Sequence, residues 1–137
     1  MKKIYLDTNI IIDLLIERVP FSKYAIQIFK KAEEQSIVLY TSSHSIATTH
    51  YILKKYIDEK KLREILNDLI DLVNIVPVDL EILRSGLNSK YKDFEDSIQI
   101  YSANNIKDIS FIVTRNIKDF KDSEITALPP EQAIELI

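Results

Sequence analysis

Short apolar runs alternate with longer amphipathic segments along this chain, and the alternation limits the folds that it can adopt. The short runs are rich in β-branched and aromatic residues, which favour strands. They cover residues 3–6, 37–40, 75–78, 111–113 and 125–127. Strands that alternate with helices form a parallel sheet with helices on both faces. The sequence therefore predicts a three-layer α/β/α fold around a central parallel sheet of about 4–5 strands.

Helical periodicity and end signals locate the helices between these strands. Asn9 is expected to cap a helix over 10–15, and a proline at 129 or 130 is expected to open the C-terminal helix. The other helices are predicted over 21–34, 45–56, 62–73, 80–88 and 94–105. Because Pro77 cannot donate a ladder hydrogen bond, the third strand is placed at an edge of the sheet.

The composition fits one domain over 1–137 and excludes several kinds of site. With 1 Gly, 4 Pro and no obvious linker, a second domain is not expected. The absence of Cys excludes disulfides, thiolate metal ligands and a Cys nucleophile. No apolar run has the length of a signal-peptide core or a membrane span, so a cytoplasmic location without membrane contact is expected. The net charge of −3 is not that of a nonspecific nucleic-acid binder, but bound cations can let an acidic cleft receive phosphate.

Polar residues follow three of the predicted strands. Asp7 comes directly after the first strand, Thr41 and Ser42 follow the second in a polar turn, and Thr114 follows the fourth. Asp7 alone could simply stabilise the start of the next helix. In open α/β sheets, however, ligands bind outside the carboxyl ends of the strands. We therefore expect these side chains to gather at one functional edge of the sheet.

Two further polar segments are predicted to reach the same edge. The helix before the fourth strand begins with Asp93, Glu95 and Asp96, and the loop after that strand carries Asn116 and Asp119. Each segment alone could be an ordinary helix cap or surface loop. Together they crowd carboxylates whose repulsion a divalent cation would relieve. Such oxygen ligands suit Mg²⁺ or Mn²⁺, which can activate water for attack on a phosphodiester.

The ordered set of motifs resembles the PIN-domain ribonucleases, including VapC-type toxins. Asp7-Thr8-Asn9 after an N-terminal strand is similar to the opening motif of that family. The segment DSIQIYSA, which begins at Asp96, looks like the central motif, and VTRNIKDF, over 113–120, looks like the last one. All three occur in the family's order and nearly span the chain, so the set is more specific than any single motif.

The resemblance implies an α/β/α domain that cleaves RNA with Mg²⁺ or Mn²⁺. It implies that Asp7, Asp96 and Asp119 hold the metal and that Asn116 belongs to the catalytic site. Further residues would orient the ligands and water; these are Thr8, Asn9, Ser42 and Thr114. As partners it implies an RNA substrate, an antitoxin protein and a second copy of the chain in a homodimer.

The chain departs from the family pattern at Thr48, in the helix where the family usually carries a Glu. No acid occurs between 36 and 57. Asp93 or Glu95 could supply the missing carboxylate from the other side of the cleft. An alternative to a nuclease is therefore a PIN-like domain that binds RNA or a protein partner without cutting.

A receiver-like signalling domain is a third hypothesis, because that class also combines a parallel sheet with an acidic pocket. Asp79 after the third strand is its nominal phosphoacceptor. The adjacent acidic pair near the first strand and the Lys after a late strand are both missing, which disfavours this class.

A basic stretch over 54–63 includes Lys60 and Lys61. It is either a solvated helix face or a surface for RNA phosphate.

Overall fold

A computed structural model describes all 137 residues, in five strands and eight helices. In chain order the elements are β1 (Lys2–Leu6), α1 (Thr8–Leu15), α2 (Ser22–Glu33), β2 (Ile37–Ser42), α3 (Ser43–Leu53), α4 (Glu59–Leu72), β3 (Asn74–Val76), α5 (Leu80–Leu87), α6 (Phe94–Asn104), β4 (Ile109–Val113), α7 (Ile117–Phe120), β5 (Ala127–Leu128) and α8 (Pro130–Glu135). None of the helices is both long and apolar enough to cross a bilayer.

The strands form one parallel sheet in the order β3-β2-β1-β4-β5. This confirms the predicted three-layer α/β/α fold and its number of parallel strands. The strand followed by Pro77 lies at an edge, as predicted, because its outer side needs no partner there.

The alternation of side chains along the central strands divides the core in two. Ile4 and Leu6 of β1 belong to the cluster under α1, α2, α3, α4 and α8. Tyr5 belongs to the opposite cluster, under α5, α6 and α7, together with its register partner Ile112 of β4. Each large apolar side chain buried in this way contributes about 1.5–3 kcal/mol. Burial on both faces therefore holds the sheet between its two helix layers.

The ends of β1 and β4 meet at the topological switch point of the sheet. The crossover from β1 to β2 covers one face, and the crossover from β3 to β4 covers the other. Leu6 and Val113 are register partners, so Asp7 and Thr114, the next residues, emerge side by side. This is the position at which open α/β sheets bind ligands.

Two local predictions are wrong because tertiary contacts override the local signals. The cap of α1 is Asp7 rather than Asn9, since the Asp7 carboxylate accepts the Thr8 N–H at 2.7 Å and the helix starts there. Thr41 and Ser42 belong to β2 rather than to a turn, since both continue the ladder with β3.

The segment after β4 also differs from its predicted loop. It forms the short helix α7, and Phe120 at its end is only 1% exposed. Packing of this ring on the core gives the segment a fixed position, which composition alone does not indicate.

α5 packs closely on α6 at the only glycine of the chain. A Cβ on Gly86 would lie 2.8 Å from Ser97 Oγ, 3.1 Å from Ile98 Cδ1 and 3.2 Å from Phe94 Cε1. The missing side chain therefore permits the close approach of the two helices. This contact helps to set the position of α6, which carries Asp96.

We predict that Gly86→Ala destabilises the fold by about 1 kcal/mol, because overpacking costs about 1–3 kcal/mol and the gain in helix propensity is about 1 kcal/mol. Urea unfolding measures the change in the free energy of unfolding. Ser85→Ala, on the same helix, is the matched control for propensity. A Gly86→Ala protein as stable as wild type would contradict the packing argument.

Candidate functional site

Asp7 is held at the carboxyl end of β1 through both of its carboxylate oxygens. Oδ1 accepts the Thr8 N–H at 2.7 Å, whereas Oδ2 accepts from the Thr114 hydroxyl at 2.7 Å and from Asn9 Nδ2 at 3.2 Å. Burial raises the pKa of Asp7, and the hydrogen bonds from Thr114 and Thr8 oppose this shift by favouring the charged form. Asp7 is 6% exposed and still lines a cleft. Its carboxylate is thus fixed in position yet open to a ligand on one side.

Thr114 connects Asp7 to the loop after β4. Its hydroxyl donates to Asp7 and accepts the Asn116 N–H at 3.0 Å. Asn9 reaches the same loop, because its Oδ1 accepts the Arg115 N–H at 3.4 Å. The loop backbone is therefore held at two consecutive residues, which positions the Asn116 side chain.

Most of the predicted site residues line one of two cavities, whereas Ser42 and Thr114 are fully buried and line neither. A cleft of about 210 Å³, called the acidic cleft below, contains Asp7, Asp96 and Asn116. Its other lining residues are Thr8, Asn9, Ile12, Thr48, Ile52, Glu95 and Gln99. Asp93 and Asp119 instead line a second cavity of about 240 Å³.

Asp96 is surrounded by negative charge and links the two cavities. Its pKa is raised to about 7, mainly by burial and further by the charges of Asp93, Asp7 and Asp119. Asp93 caps α6 by accepting the Asp96 N–H at 3.0 Å. Asp119 accepts from the Asn116 amide at 2.5 Å. These acids therefore act on one another electrostatically although they do not share one cavity.

α3 brings no carboxylate to the acidic cleft. Thr48 lines the cleft, and its hydroxyl lies 3.4 Å from His44 Nε2. The same ring nitrogen is 3.6 Å from Glu95 Oε1. Of the two acids considered as replacements for the missing Glu, only Glu95 lines the cleft with Thr48; Asp93 does not.

A buried polar network next to the cleft was missed by sequence reasoning. Gln99 Oε1 accepts from the Tyr5 hydroxyl and from Ser45 Oγ, the latter at 2.8 Å. Ser45 Oγ in turn accepts from Thr8 at 2.9 Å and from Ser42 at 3.1 Å. Ser42 therefore serves this network and does not line the cleft. Burial raises the pKa of Tyr5, which keeps its phenol a donor. The available signal was Gln99 itself, a polar residue within an apolar run.

An ion pair with a buried carboxylate anchors the loop after β4 and was also missed. Arg115 Nε lies 2.6 Å from Asp13 Oδ2, and Nη2 lies 3.1 Å from Oδ1. Asp13 is 1% exposed, and the guanidinium lies 4.0 Å from the centre of the Phe21 ring. Because Asp13 is buried and accepts two hydrogen bonds from the guanidinium, this contact holds the loop that carries Asn116. Its signal was a single acid inside the apolar run of α1.

The donor set suits a hard divalent cation. No three acidic or histidine side chains already surround a common point closely enough to hold one, so the site is open rather than a closed cage. Mg²⁺ is commonly held by one or two carboxylates, with water and substrate phosphate as its other ligands. Asp7 and Asp96 in one cleft meet this requirement. A bound cation would neutralise the negative charge around Asp96 that raises its pKa.

The raised pKa of Asp96 predicts how the stability of the metal-free protein depends on pH. The unfolded chain releases this proton near the ordinary pKa of 3.8, whereas the folded protein holds it to about 7. The stabilising contribution is complete below 3.8 and is lost as the pH rises through about 7. Asp96→Asn, which cannot ionise, should therefore melt a few degrees above wild type in alkaline buffer and close to it in acid.

Thermal unfolding in the presence of a chelator measures this difference. Added Mg²⁺ should reduce the difference in melting temperature between Asp96→Asn and wild type, because Mg²⁺ stabilises wild type. Glu64→Gln, at an exposed acid of α4, is the control and should show no comparable gain. A gain of equal size in acid and in alkali would contradict the assignment to Asp96.

The receiver-like hypothesis is wrong. Asp79 caps α5 by accepting the Ile82 N–H at 2.9 Å. It follows an edge strand and does not line the acidic cleft.

Known proteins resemble this chain along nearly its whole length. A family model described as PIN domain matches residues 3–118. Ribonuclease VapC1 of Aquifex aeolicus (strain VF5) is 29% identical over 141 residues, which cover 98% of this chain and 94% of that protein.

Solved structures share the fold. A chain in a toxin–antitoxin complex from Klebsiella pneumoniae is 26% identical with a TM-score of 0.63, over 92% of this chain and 96% of that one. A chain of VapBC2 from Rickettsia felis, bound to a DNA fragment from its promoter, is 19% identical with a TM-score of 0.66. The match covers 93% of this chain and 98% of that one and shows a likeness of fold alone. The match over residues 3–118, together with the parallel sheet and the acidic switch point, means that the chain belongs to the PIN domain family.

Proposed function

We propose that this protein is a divalent-metal-dependent endoribonuclease that cleaves RNA phosphodiesters with an activated water. The observation that carries the proposal is the convergence of Asp7, Asp96 and Asn116 in one cleft at the switch point of the sheet. Family membership and the similarity to a protein named ribonuclease VapC1 support RNA as the substrate.

Asp7 and Asp96 would hold Mg²⁺ or Mn²⁺, with Asp119 as the third acid of the set. The bound cation supplies water activation and neutralises charge on the leaving oxygen. The chain itself supplies the positioning. Thr8 and Thr114 hold the two oxygens of Asp7, so that its carboxylate has a fixed position in the wall of the cleft. No side-chain nucleophile is required by this chemistry.

Asn116 and Asp119 act as a pair in this proposal. The Asn116 amide donates to Asp119, and the Asp13–Arg115 ion pair holds the loop that carries Asn116. The loop is thus ordered before substrate arrives. Such preorganisation avoids the cost of assembling charged groups during the reaction.

The second candidate function is binding of RNA or a protein without cleavage. The observation that favours this candidate is Thr48. It lines the cleft from α3 and carries no carboxylate. Glu95 lines the same cleft and offers a replacement carboxylate from α6. The two candidates therefore differ in whether the cleft holds a cation that supports cleavage.

We expect Asp7→Asn and Asp96→Asn each to reduce cleavage of single-stranded RNA about 100-fold or more, because even partners of metal ligands cost about 10–100-fold when removed. A chelator should stop cleavage by wild type, and added Mg²⁺ or Mn²⁺ should restore it. Mn²⁺ binding measured by electron paramagnetic resonance should weaken in the same two variants.

Glu64→Gln, outside the cleft, is the control for this experiment and should cleave as wild type does. Equal cleavage by wild type and both Asp variants would contradict the proposed site. A wild-type protein that binds RNA and Mn²⁺ but leaves the RNA intact would favour the second candidate.

A protein partner forms the other half of the proposed role, that of a toxin in a toxin–antitoxin pair. An apolar groove of about 570 Å³ lies between α1, α2 and α4. Its lining residues are Leu14, Leu15, Ile26, Phe29, Lys30, Glu33, Ile65, Asp68, Leu69 and Leu72. The proposed occupant is an amphipathic segment of an antitoxin, because similar folds have been solved in toxin–antitoxin complexes. A homodimer stays a prediction, which sedimentation equilibrium tests. A cytoplasmic location also stays a prediction.

Ile26→Glu should weaken this partner's binding about tenfold or more, because burying an isoleucine contributes about 1.5–3 kcal/mol. The measurement is co-purification and titration with the product of a short neighbouring reading frame that encodes a DNA-binding antitoxin. Ile70→Glu is the matched control, since Ile26 is 46% exposed and Ile70, outside the groove, is 43% exposed. Equal binding by both variants would place the partner elsewhere.

A further inference from the structure

The second cavity is lined by four lysines from two separate segments. Lys90 and Lys92 come from the loop between α5 and α6, whereas Lys118 and Lys121 come from α7 and its end. The cavity measures about 240 Å³ and is called the lysine cavity below. Its other lining residues are Tyr91, Asp93, Asp119 and Asp122.

The two lysine segments are fastened to each other and to the core. The Tyr91 hydroxyl donates to the Asp122 carbonyl oxygen at 3.3 Å, which ties the first segment to the turn after α7. The Tyr91 ring packs edge-on against Tyr101, with centroids 6.2 Å apart. Phe120, at 1% exposure, anchors α7. The lysines therefore extend from two segments whose backbone is held in place by these contacts.

None of the four lysines forms an ion pair within the protein. All four are exposed, and none has its ammonium within 4.0 Å of a carboxylate oxygen. Two of the acids in the cavity already serve other groups, since Asp93 caps α6 and Asp119 accepts from Asn116. With four lysines and three aspartates, the lining carries a net charge of +1 in a chain of net charge −3, so the lysine side chains form a local site for a polyanion.

The lysine cavity adjoins the residues proposed for catalysis. Two hydrogen bonds connect the cavity to the acidic cleft. Asp119 of the cavity accepts from the amide of Asn116 in the cleft, and Asp93 of the cavity accepts the N–H of Asp96 in the cleft. A strand that places one phosphate in the acidic cleft would therefore bring a neighbouring phosphate to the lysines.

We propose that the lysine cavity binds the RNA backbone next to the cleaved bond, with Lys90, Lys92, Lys118 and Lys121 contacting its phosphates. This inference rests on the proposed ribonuclease function. Lysine contacts to phosphate supply affinity and little sequence selectivity. They also compensate for the repulsion between RNA and the carboxylates of the cleft.

The test measures the salt dependence of RNA binding. Fluorescence anisotropy with a labelled single-stranded RNA, without divalent cations so that the RNA stays intact, gives the dissociation constant at several salt concentrations. Two double variants, Lys90→Gln with Lys92→Gln and Lys118→Gln with Lys121→Gln, each remove two charges. The slope of log affinity against log salt should fall by about 0.7 for each lost phosphate contact.

Two sets of control variants separate an effect of this surface from a general loss of positive charge. Lys60→Gln with Lys61→Gln removes the same charge from the other basic stretch, which lines neither cavity. Arginine in place of the four cavity lysines keeps the positive charge, so the slope of log affinity against log salt should equal that of wild type. In steady-state cleavage with Mg²⁺, the cavity variants should raise KM more than they lower kcat, because they lose binding shared by substrate and transition state.

The outcomes distinguish this inference from the proposed function. Reduced slopes in the cavity variants, with wild-type slopes in the Lys60/Lys61 and arginine variants, support it. If wild type binds and cleaves RNA and the cavity variants keep the wild-type slope and KM, the inference about the lysine cavity is overturned. The proposed nuclease function then stands, and the lysines would bind another anion, such as an acidic protein segment. A wild-type protein that neither binds nor cleaves RNA would overturn both.

Discussion

The hydrogen bond from the Thr114 hydroxyl to Asp7 joins the ends of two parallel strands that are far apart in sequence. It forms because Leu6 and Val113 are register partners in the sheet, so the residues that follow them emerge together. The same hydroxyl accepts the Asn116 N–H. Strand pairing thus determines the position of the buried carboxylate and of the loop opposite it. A one-residue change of register would turn Asp7 toward the other face and remove the site.

Electrostatics in this molecule is organised around Asp7 and Asp96. The acids at the switch point repel one another, and burial raises the pKa of Asp96 to about 7. They stay together because hydrogen bonds hold them. Asp7 accepts from the Thr8 N–H and the Thr114 hydroxyl, and the backbone N–H of Asp96 donates to Asp93 at the start of α6. A bound divalent cation would neutralise this repulsion between carboxylates that are already held in position.

Much of the fold could be predicted because it depends on local patterns. The period of apolar residues identifies the strands and helices, and Asp79 and Pro130 mark helix starts where predicted. The wrong predictions concern residues whose conformation depends on distant partners. Asn9 is a good cap by type, yet it turns toward Asp7 and the loop at Arg115, because these groups need its amide. Gln99 and the Asp13–Arg115 pair were missed for the same reason.

The sequence by itself determined the α/β/α architecture, the edge of the sheet at which function is expected and the types of donor atom available there. Parallel strands have their carboxyl ends at one edge of the sheet, so the residues that follow them were expected there, whereas the contact between Asp7 and Thr114 depends on the pairing of β1 with β4. Only the tertiary structure decided that Glu95 rather than Asp93 lines the acidic cleft, that Ser42 belongs to the buried hydroxyl network and that lysines of two segments share one cavity. The physical reason is that these arrangements depend on the angles at which helices pack, which residue order does not specify.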